Sequence, residues 1–372
     1  MVNNISEYDS KEILNMEIKP LKIGELVADL PIIQGGMGIG VSLSNLASAV
    51  CNSGGIGVIS AAQIGFNEDN FSSNPLLANI SALKKHINKA KEKIQRGILG
   101  LNVMVAMTHY DEYIKTAVES GIDLIISGAG LPTKLPLLVE GTKVKIAPIV
   151  SSLRAAKTIL KIWDRKANAT ADLIVIEGPK AGGHLGFSLE ELNQDQINLD
   201  DILIGVLEEI KQYEEKYNKE IPVVVAGGIY TGEDIAHYLK LGASGVQMAT
   251  RFIATHECDA HINFKKAFVD CKKDDIELVK SPVGMPGRAI RNPLVDKIKI
   301  ENIKVKKCHN CLSQDHCDRL TIPYCITTKL IEAVNGDIEN GLLFCGDNAH
   351  RINQIVSVNN LMTELKTGIL NS

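Results

Sequence analysis

Short, nearly unbroken apolar runs recur along the chain up to Thr250: LPIIQ (30–34), GVIS (57–60), ILGLNV (98–103), DLIISG (123–128), KVKIAPIV (143–150), DLIVIEG (172–178), IPVVVAGG (221–228) and GVQMA (245–249). They are rich in Val and Ile and mostly lack the polar–apolar alternation of a half-exposed strand. That pattern predicts eight strands covered on both faces. Between them the spacing turns helical. SLSNLASAVCNSG (42–54) predicts a helix with Ser42 as N-cap and Gly54 as its stop. YDEYIKTAVESG (110–121) ends in the same way at Gly121, and SLRAAKTILKIWDRK (152–166) keeps one apolar stripe. TGEDIAHYLKLGA (231–243) opens on Thr231 with acids in its first turn and closes on a glycine. Strand followed by helix, repeated eight times, predicts an α/β fold of the (β/α)8 TIM-barrel type. An open doubly wound sheet fits less well, because no G-x-G-x-x-G follows the first strand.

Past Thr250 the character changes. Charge rises in KKAFVDCKKDDIELVK and DKIKIENIKVKK, and prolines punctuate SPVGMPGRAIRNP. The division expected is a barrel over 1–254, a smaller, mainly helical domain over 255–340 that covers the barrel mouth, and a C-terminal segment over 341–372. SVNNLMTELKTG (357–368) predicts a helix in that segment, with Ser357 as its cap.

Composition narrows the function classes. The 372 residues are 45% hydrophobic and 23% charged, with a net charge of −4 and acids and bases interspersed. No basic face for nucleic acid and no polybasic membrane anchor is visible. No apolar run is long enough to span a bilayer, and the opening MVNNISEYDSKEILNMEIKP lacks a signal-peptide core. A cytoplasmic protein acting on a small molecule is expected, its oligomeric state left open.

In a parallel barrel all strand C-termini share one rim, and catalytic groups come from that rim. Here it reads Gln34-Gly35-Gly36-Met37, Asn102, Ser127-Gly128-Ala129-Gly130, Pro148, Glu177 through His184, Gly227-Gly228, and Gln247-Met248-Ala249-Thr250. So many glycines bare the backbone N–H groups for a large, flat or phosphorylated ligand. Gly227 and Gly228, just before a helix start, and Gln247 to Thr250, after the last strand, predict a phosphate site of backbone amides. His184, on a glycine-rich loop, is a candidate acid or base. Glu177, at a strand end, is a candidate ligand contact.

Eight cysteines are present, and four fall in CHNCLSQDHCDRLTIPYC: Cys308, Cys311, Cys317 and Cys325, with His309 and His316 between them. In a reducing compartment such a cluster suggests metal before disulfides. Reduced, partly buried thiols are the plainer reading. Trp163, Cys51 and Cys258 read as packing or surface groups, and KKDD (272–275) as a solvated turn. Arg288 and Arg291 read as partners of an anionic substrate or, the plainer reading, of carboxylates in the smaller domain.

Taken together, PIIQGGMGIGVSLSNLASAVCNSGGIGVIS, GLNVM, ISGAGLP, EGPKAGGHLGF, PVVVAGGIYTGEDIAHYLKLGASGVQMATRF, SPVGMPGRAIRNP and GDNAHRINQIVSVNNLMTEL carry a resemblance. In that order and spacing the chain resembles the nitronate monooxygenase (2-nitropropane dioxygenase-like) family of FMN-dependent barrels. That family also holds the flavin-dependent enoyl-acyl-carrier-protein reductases. The resemblance implies FMN on the rim. Gln34, Gly36 and Met37 would lie along its ring, and Asn102 would bond the flavin or its ribityl chain. Gly182 and Gly183 would let a loop approach. Gly228 and Gln247, Met248, Ala249 and Thr250 would hold the phosphate, and His184 would be the active-site histidine. The activity implied is oxidation of nitronates by O2 to a carbonyl compound and nitrite. The alternative is an NAD(P)H-dependent reductase of enoyl thioesters or quinones. Two motifs pull apart. Glu177 stands where the resemblance implies Gln in nitronate oxidisers, whereas SPVGMPGRAIRNP is closer to the oxidiser branch.

Overall fold

The computed structural model describes residues 17–194, 196–312, 317–318 and 321–372; most of the opening stretch read above, and His316, lie outside the described residues. Each apolar run forms a strand. An antiparallel hairpin of β1 (Leu21–Ile23) and β2 (Leu26–Ala28) leads into β3 (Ile32–Gln34). The next strands are β4 (Ile56–Ser60), β5 (Ile98–Met104), β6 (Leu124–Gly128), β7 (Lys145–Val150) and β8 (Ile174–Glu177). A two-residue β9 (Gly183–His184) precedes β10 (Val223–Ala226) and β11 (Gly245–Met248). Eight of these strands close a parallel barrel in the order β3-β4-β5-β6-β7-β8-β10-β11.

The missing alternation has a direct cause. Successive side chains still point to opposite faces, but both faces are apolar. Ile33, Val58, Leu124, Ile126, Val175 and Val224 fill the barrel interior. Their neighbours Ile32, Ile59, Ile125, Ile174, Val223 and Val225 pack outward against the helices. Leu21, Ile23 and Ala28 of the first hairpin join the interior cluster. The hairpin thus plugs one end of the barrel, and ligand access is left to the other.

Caps follow the sequence with one exception. Ser152 accepts the Ala155 N–H at 3.2 Å, and Thr231 and Asp234 form a reciprocal capping box. Ser42, expected to cap the first helix, does not. That helix runs Ser44–Asn52, and the Ser42 hydroxyl instead accepts the Met37 N–H at 2.8 Å. The cap is Asp259, remote in sequence, which accepts the N–H groups of Leu43 and Leu46 at 2.9 and 3.1 Å. Its carboxylate suits the positive end of the helix dipole.

After β11 the chain forms the helices Ile262–Val269, Pro293–Ile298 and Ile326–Val334. Between the first two lies a hairpin of β12 (Ile276–Lys280) and β13 (Pro286–Ile290), whose second strand pairs with β9. The apolar pattern gives no sign of this three-stranded sheet. The last helix, Val358–Leu370, is capped by Ser357, which accepts the Asn360 N–H at 3.1 Å. It buries Leu361, Leu365 and Ile369 in the outer layer of the barrel. Among the described residues no helix is long and apolar enough to cross a membrane.

The helix Ser44–Asn52 lies so close to β4 that a methyl group at Gly57 would run into the Ala47 carbonyl. Overpacking of this kind costs about 1–3 kcal/mol. Gly57→Ala is expected to lower stability by that amount in urea titration, and an unchanged midpoint would show that the helix can shift outward freely.

Candidate active site

The open end of the barrel holds a cavity of about 370 Å³. Its barrel wall carries Gly36, Met37, Asn102, Glu177, Gln247 and Thr250. Its roof comes from later in the chain, through Phe264, Met285, Leu330, Leu342 and Phe344. Gly182, Gly183, His184 and Ala249 complete the lining among the expected site residues.

His184 does not ride on a free loop. It is paired with Gly287, and Gly183 with Arg288, in the antiparallel register of β9 with β13. The Leu185 N–H extends the ladder to the Pro286 carbonyl at 2.9 Å. The imidazole Nε2 lies 2.7 Å from the Ser281 hydroxyl, and the ring sits edge-on to Phe344 with centroids 5.1 Å apart. Nδ1 is neither bonded nor buried, and it opens into the cavity. Burial disfavours the charged form and brings the imidazole down to about 4. His184 is therefore neutral near pH 7.

The two adjacent glycines have separate reasons. A side chain at Gly182 would sit 2.5 Å from the Cys345 carbonyl carbon, so only glycine allows that close pass. Gly183 takes φ +75, a left-handed backbone that favours glycine. Arg288 then fastens the loop. It is nearly buried, and its Nη1 donates to the carbonyls of Pro179 and Ala181 at 2.9 and 2.5 Å. The expectation of a carboxylate partner holds for Arg291, which meets Asp296 at 2.9 Å and Glu277 at 3.7 Å. It fails for Arg288, because its position on β13 aims it at the histidine loop.

Glu177, at the end of β8, lines the cavity. It has no hydrogen-bond or ion-pair partner among the described residues, and burial raises its carboxyl to about 7. Gln247 lines the same space, and its Oε1 is buried with no partner. Asn102 lines it too, with Nδ2 donating to the Ile126 carbonyl at 3.4 Å. Gln34 does not reach the cavity. Its amide is committed to the neighbouring strand, accepting the Val58 N–H at 3.0 Å and donating to the Val58 carbonyl at 3.2 Å. Met248 likewise points into the packed outer layer of the barrel.

Gly227 and Gly228 sit behind the lining rather than in it. Both have positive φ, +93 and +85. A side chain at Gly228 would touch Lys180 at 3.0 Å, and its carbonyl accepts Asn348 Nδ2 at 2.6 Å. The Gly346 N–H donates to the Thr250 hydroxyl at 2.9 Å. The segment CGDNAH therefore backs the two glycine turns. Sequence reasoning overlooked Ser281 and Phe344, and it singled out Arg288 for a different partner. The four clustered cysteines carry no disulfide, and among the described residues no three His, Cys, Asp or Glu side chains stand in ligating geometry. Trp163 is packing, fully buried with Nε1 donating to the Pro132 carbonyl at 2.9 Å.

Replacing Arg288 by Met strands the buried Ala181 carbonyl, at a cost of about 1–3 kcal/mol, and the part-buried carbonyl of Pro179. Hydrogen exchange is expected to quicken over residues 178–187 while β4 to β6 stay protected. Equal protection of that loop in the variant would show that strand pairing alone holds it.

A family model for nitronate monooxygenase matches residues 19–368. Among curated relatives, a probable nitronate monooxygenase of Staphylococcus saprophyticus is 27% identical over 312 residues, covering 76% of this chain and 81% of that protein. A (3aS,4S,5R,7aS)-5-hydroxy-7a-methyl-1-oxo-octahydro-1H-indene-4-carboxyl-CoA dehydrogenase of Mycobacterium tuberculosis is 27% identical over 269 residues, covering 72% and 65%. Among solved structures, FabK from Thermotoga maritima superposes with a TM-score of 0.69 at 25% identity, covering 92% of this chain and 93% of that one.

Proposed function

We propose that this chain, which belongs to the nitronate monooxygenase family and is an oxidoreductase, oxidises small nitronates with O2 to a carbonyl compound and nitrite, using FMN. The observation that carries the reading is the neutral His184, fixed by Ser281 with its free nitrogen in a glycine-walled cavity.

The residues present fit a flat, phosphorylated ring system. The unpartnered Oε1 of Gln247 is an acceptor in search of a donor, as a ring N–H would be. Gly36 and Gly182 keep the wall free of side chains, and the turns at Gly227-Gly228 and Ala249-Thr250 offer backbone amides for a phosphate. When bound, FMN would supply the redox couple between nitronate and O2.

The chain's own groups bind and orient. Ser281 accepts the Val283 N–H at 3.4 Å, which leaves its own proton for Nε2 of His184. The imidazole then carries its hydrogen on Nδ1 and donates it to a nitronate oxygen. A donor so placed is worth about 3 kcal/mol at the transition state. Below the range in which it titrates, a protonated Glu177 adds no charge to the cavity and does not repel an anionic substrate.

A second reading, an NAD(P)H-dependent reductase of enoyl thioesters, draws on Glu177 in place of Gln and on the apolar roof of Leu330, Leu342 and Phe344. The CoA-linked relative is in line with it. Anaerobic mixing separates the two. Bleaching of the flavin by propionate 3-nitronate supports the first reading. Bleaching by NADH or NADPH, with reoxidation by crotonyl thioester, replaces it with the second.

His184→Ala is expected to retain flavin and to lose about 100- to 1,000-fold in kcat/KM. An unchanged kcat/KM removes the residue from the mechanism. Because the Glu177 carboxyl titrates near 7, raising the pH above that value charges the cavity. KM for a nitronate is expected to climb by up to about tenfold per pH unit there, and Glu177→Gln is expected to flatten the rise. A wild-type KM that stays level to pH 9 (roughly two units above the shifted value) would show that the carboxyl is not felt by the substrate.

A further inference from the structure

After the helix Ile326–Val334 the chain returns to the barrel rim and is stitched to it at successive residues. The Ile290 N–H donates to the Leu343 carbonyl at 2.9 Å and the Cys345 N–H to the Arg288 carbonyl at 3.0 Å, so the segment runs along β13. It then passes Gly182 and turns. The Gly346 N–H donates to the Thr250 hydroxyl at 2.9 Å, and the Asp347 N–H to the Lys180 carbonyl at 3.2 Å. Asn348 Nδ2 donates to the Gly228 carbonyl at 2.6 Å. Gly346 and Thr250 both line the cavity. The helical turn Ala349–Arg351 follows, and the Tyr230 hydroxyl donates to the Arg351 carbonyl at 2.7 Å.

These contacts orient donors. Asn348 holds the Gly228 carbonyl, and in a trans peptide the N–H lies on the side opposite the C=O. The Ile229 N–H is therefore turned away from Asn348. Among the described residues neither that N–H nor the Gly228 N–H has an acceptor. Ile229 is buried, and buried backbone donors are rarely left without one. Thr250 accepts the Gly346 N–H, which leaves its own hydroxyl hydrogen to donate. Charge points the same way. The guanidinium groups of Arg251 and Arg351 lie 4.4 and 4.2 Å from the centre of the Tyr230 ring, just beyond Gly228. Arg251 is paired with Glu364 at 2.8 Å, whereas Arg351 has no ion pair among the described residues. Unused donors and a spare positive charge thus gather at one turn.

We propose that Asn348 is a positioning residue for the phosphate of the flavin: it holds the Gly228–Ile229 peptide and, with Gly346 on Thr250, fixes the donors that the phosphate meets. This rests on FMN binding at the rim, as proposed for the nitronate oxidation. Gly228, at φ +85, puts no side chain in the way of a peptide flip. Once released, its carbonyl could turn its oxygen toward the phosphate and carry the Ile229 N–H away. The amide of Asn348 is suited to prevent that, because it donates and is uncharged. A carboxylate in its place would offer no donor and would add negative charge beside an anion.

The test is flavin binding by the full chain, with FMN and riboflavin titrated separately into flavin-stripped protein and followed by flavin fluorescence. Riboflavin keeps the ring and the ribityl chain and lacks the phosphate. Asn348→Ala and Asn348→Asp are expected to weaken FMN about tenfold and to leave the riboflavin Kd within about twofold of wild type. Aspartate keeps the shape of asparagine without its donor, so it decides the matter should the alanine variant fold poorly. FMN held as tightly by the variants as by wild type overturns the assignment and leaves flavin binding intact. Equal weakening of FMN and riboflavin also overturns it, because Asn348 then braces the rim as a whole. A wild-type protein that takes up neither flavin overturns the cofactor site itself, and this assignment with it.

Discussion

The site depends on one short pairing, the two residues Gly183 and His184 laid against Gly287 and Arg288. A glycine-rich loop at a barrel rim would otherwise sample many conformations, because glycine pays more conformational entropy on ordering than any other residue. Backbone ladder bonds, the Arg288 clamp on Pro179 and Ala181, and the close pass of Gly182 by Cys345 all act on the same few residues. Each would be weak alone. Together they hold an imidazole where Ser281 can fix one nitrogen and leave the other to the cavity. The barrel supplies the floor, but the histidine is aimed by a hairpin roughly a hundred positions further along the chain.

Burial then sets the electrostatics. Among the described residues no lysine or arginine lines the cavity, and its two titratable groups of note, His184 and Glu177, are both moved toward their neutral forms by desolvation. A cavity of neutral groups, backbone amides and glycines favours a ligand whose charge is spread over a plane. Ala249 and Thr250 line that cavity, and the Gly227-Gly228 turn lies behind the lining. Asn348 and Gly346 back those turns from the C-terminal segment. Three stretches far apart in sequence thus brace one rim.

What the sequence determined by itself is the barrel. Period and composition suffice there, because a strand covered on both faces must be apolar at every position, and eight such runs admit few closures. Helix caps drawn from adjacent residues, as at Thr231 and Ser357, were equally legible. So was the gathering of Glu177, His184, Asn102 and Gln247 at one rim, since parallel strands end together. Only the tertiary structure decided the rest. Asp259 replaces Ser42 as a cap because a carboxylate two hundred positions away reaches the helix first. Gln34 is withdrawn from the cavity because its amide satisfies the backbone of β4. Arg288 binds carbonyls rather than carboxylates because its strand lies beside the histidine loop. These are contacts between remote segments, and their energies come from burial and from which polar atoms would otherwise go unpaired. No local pattern encodes them.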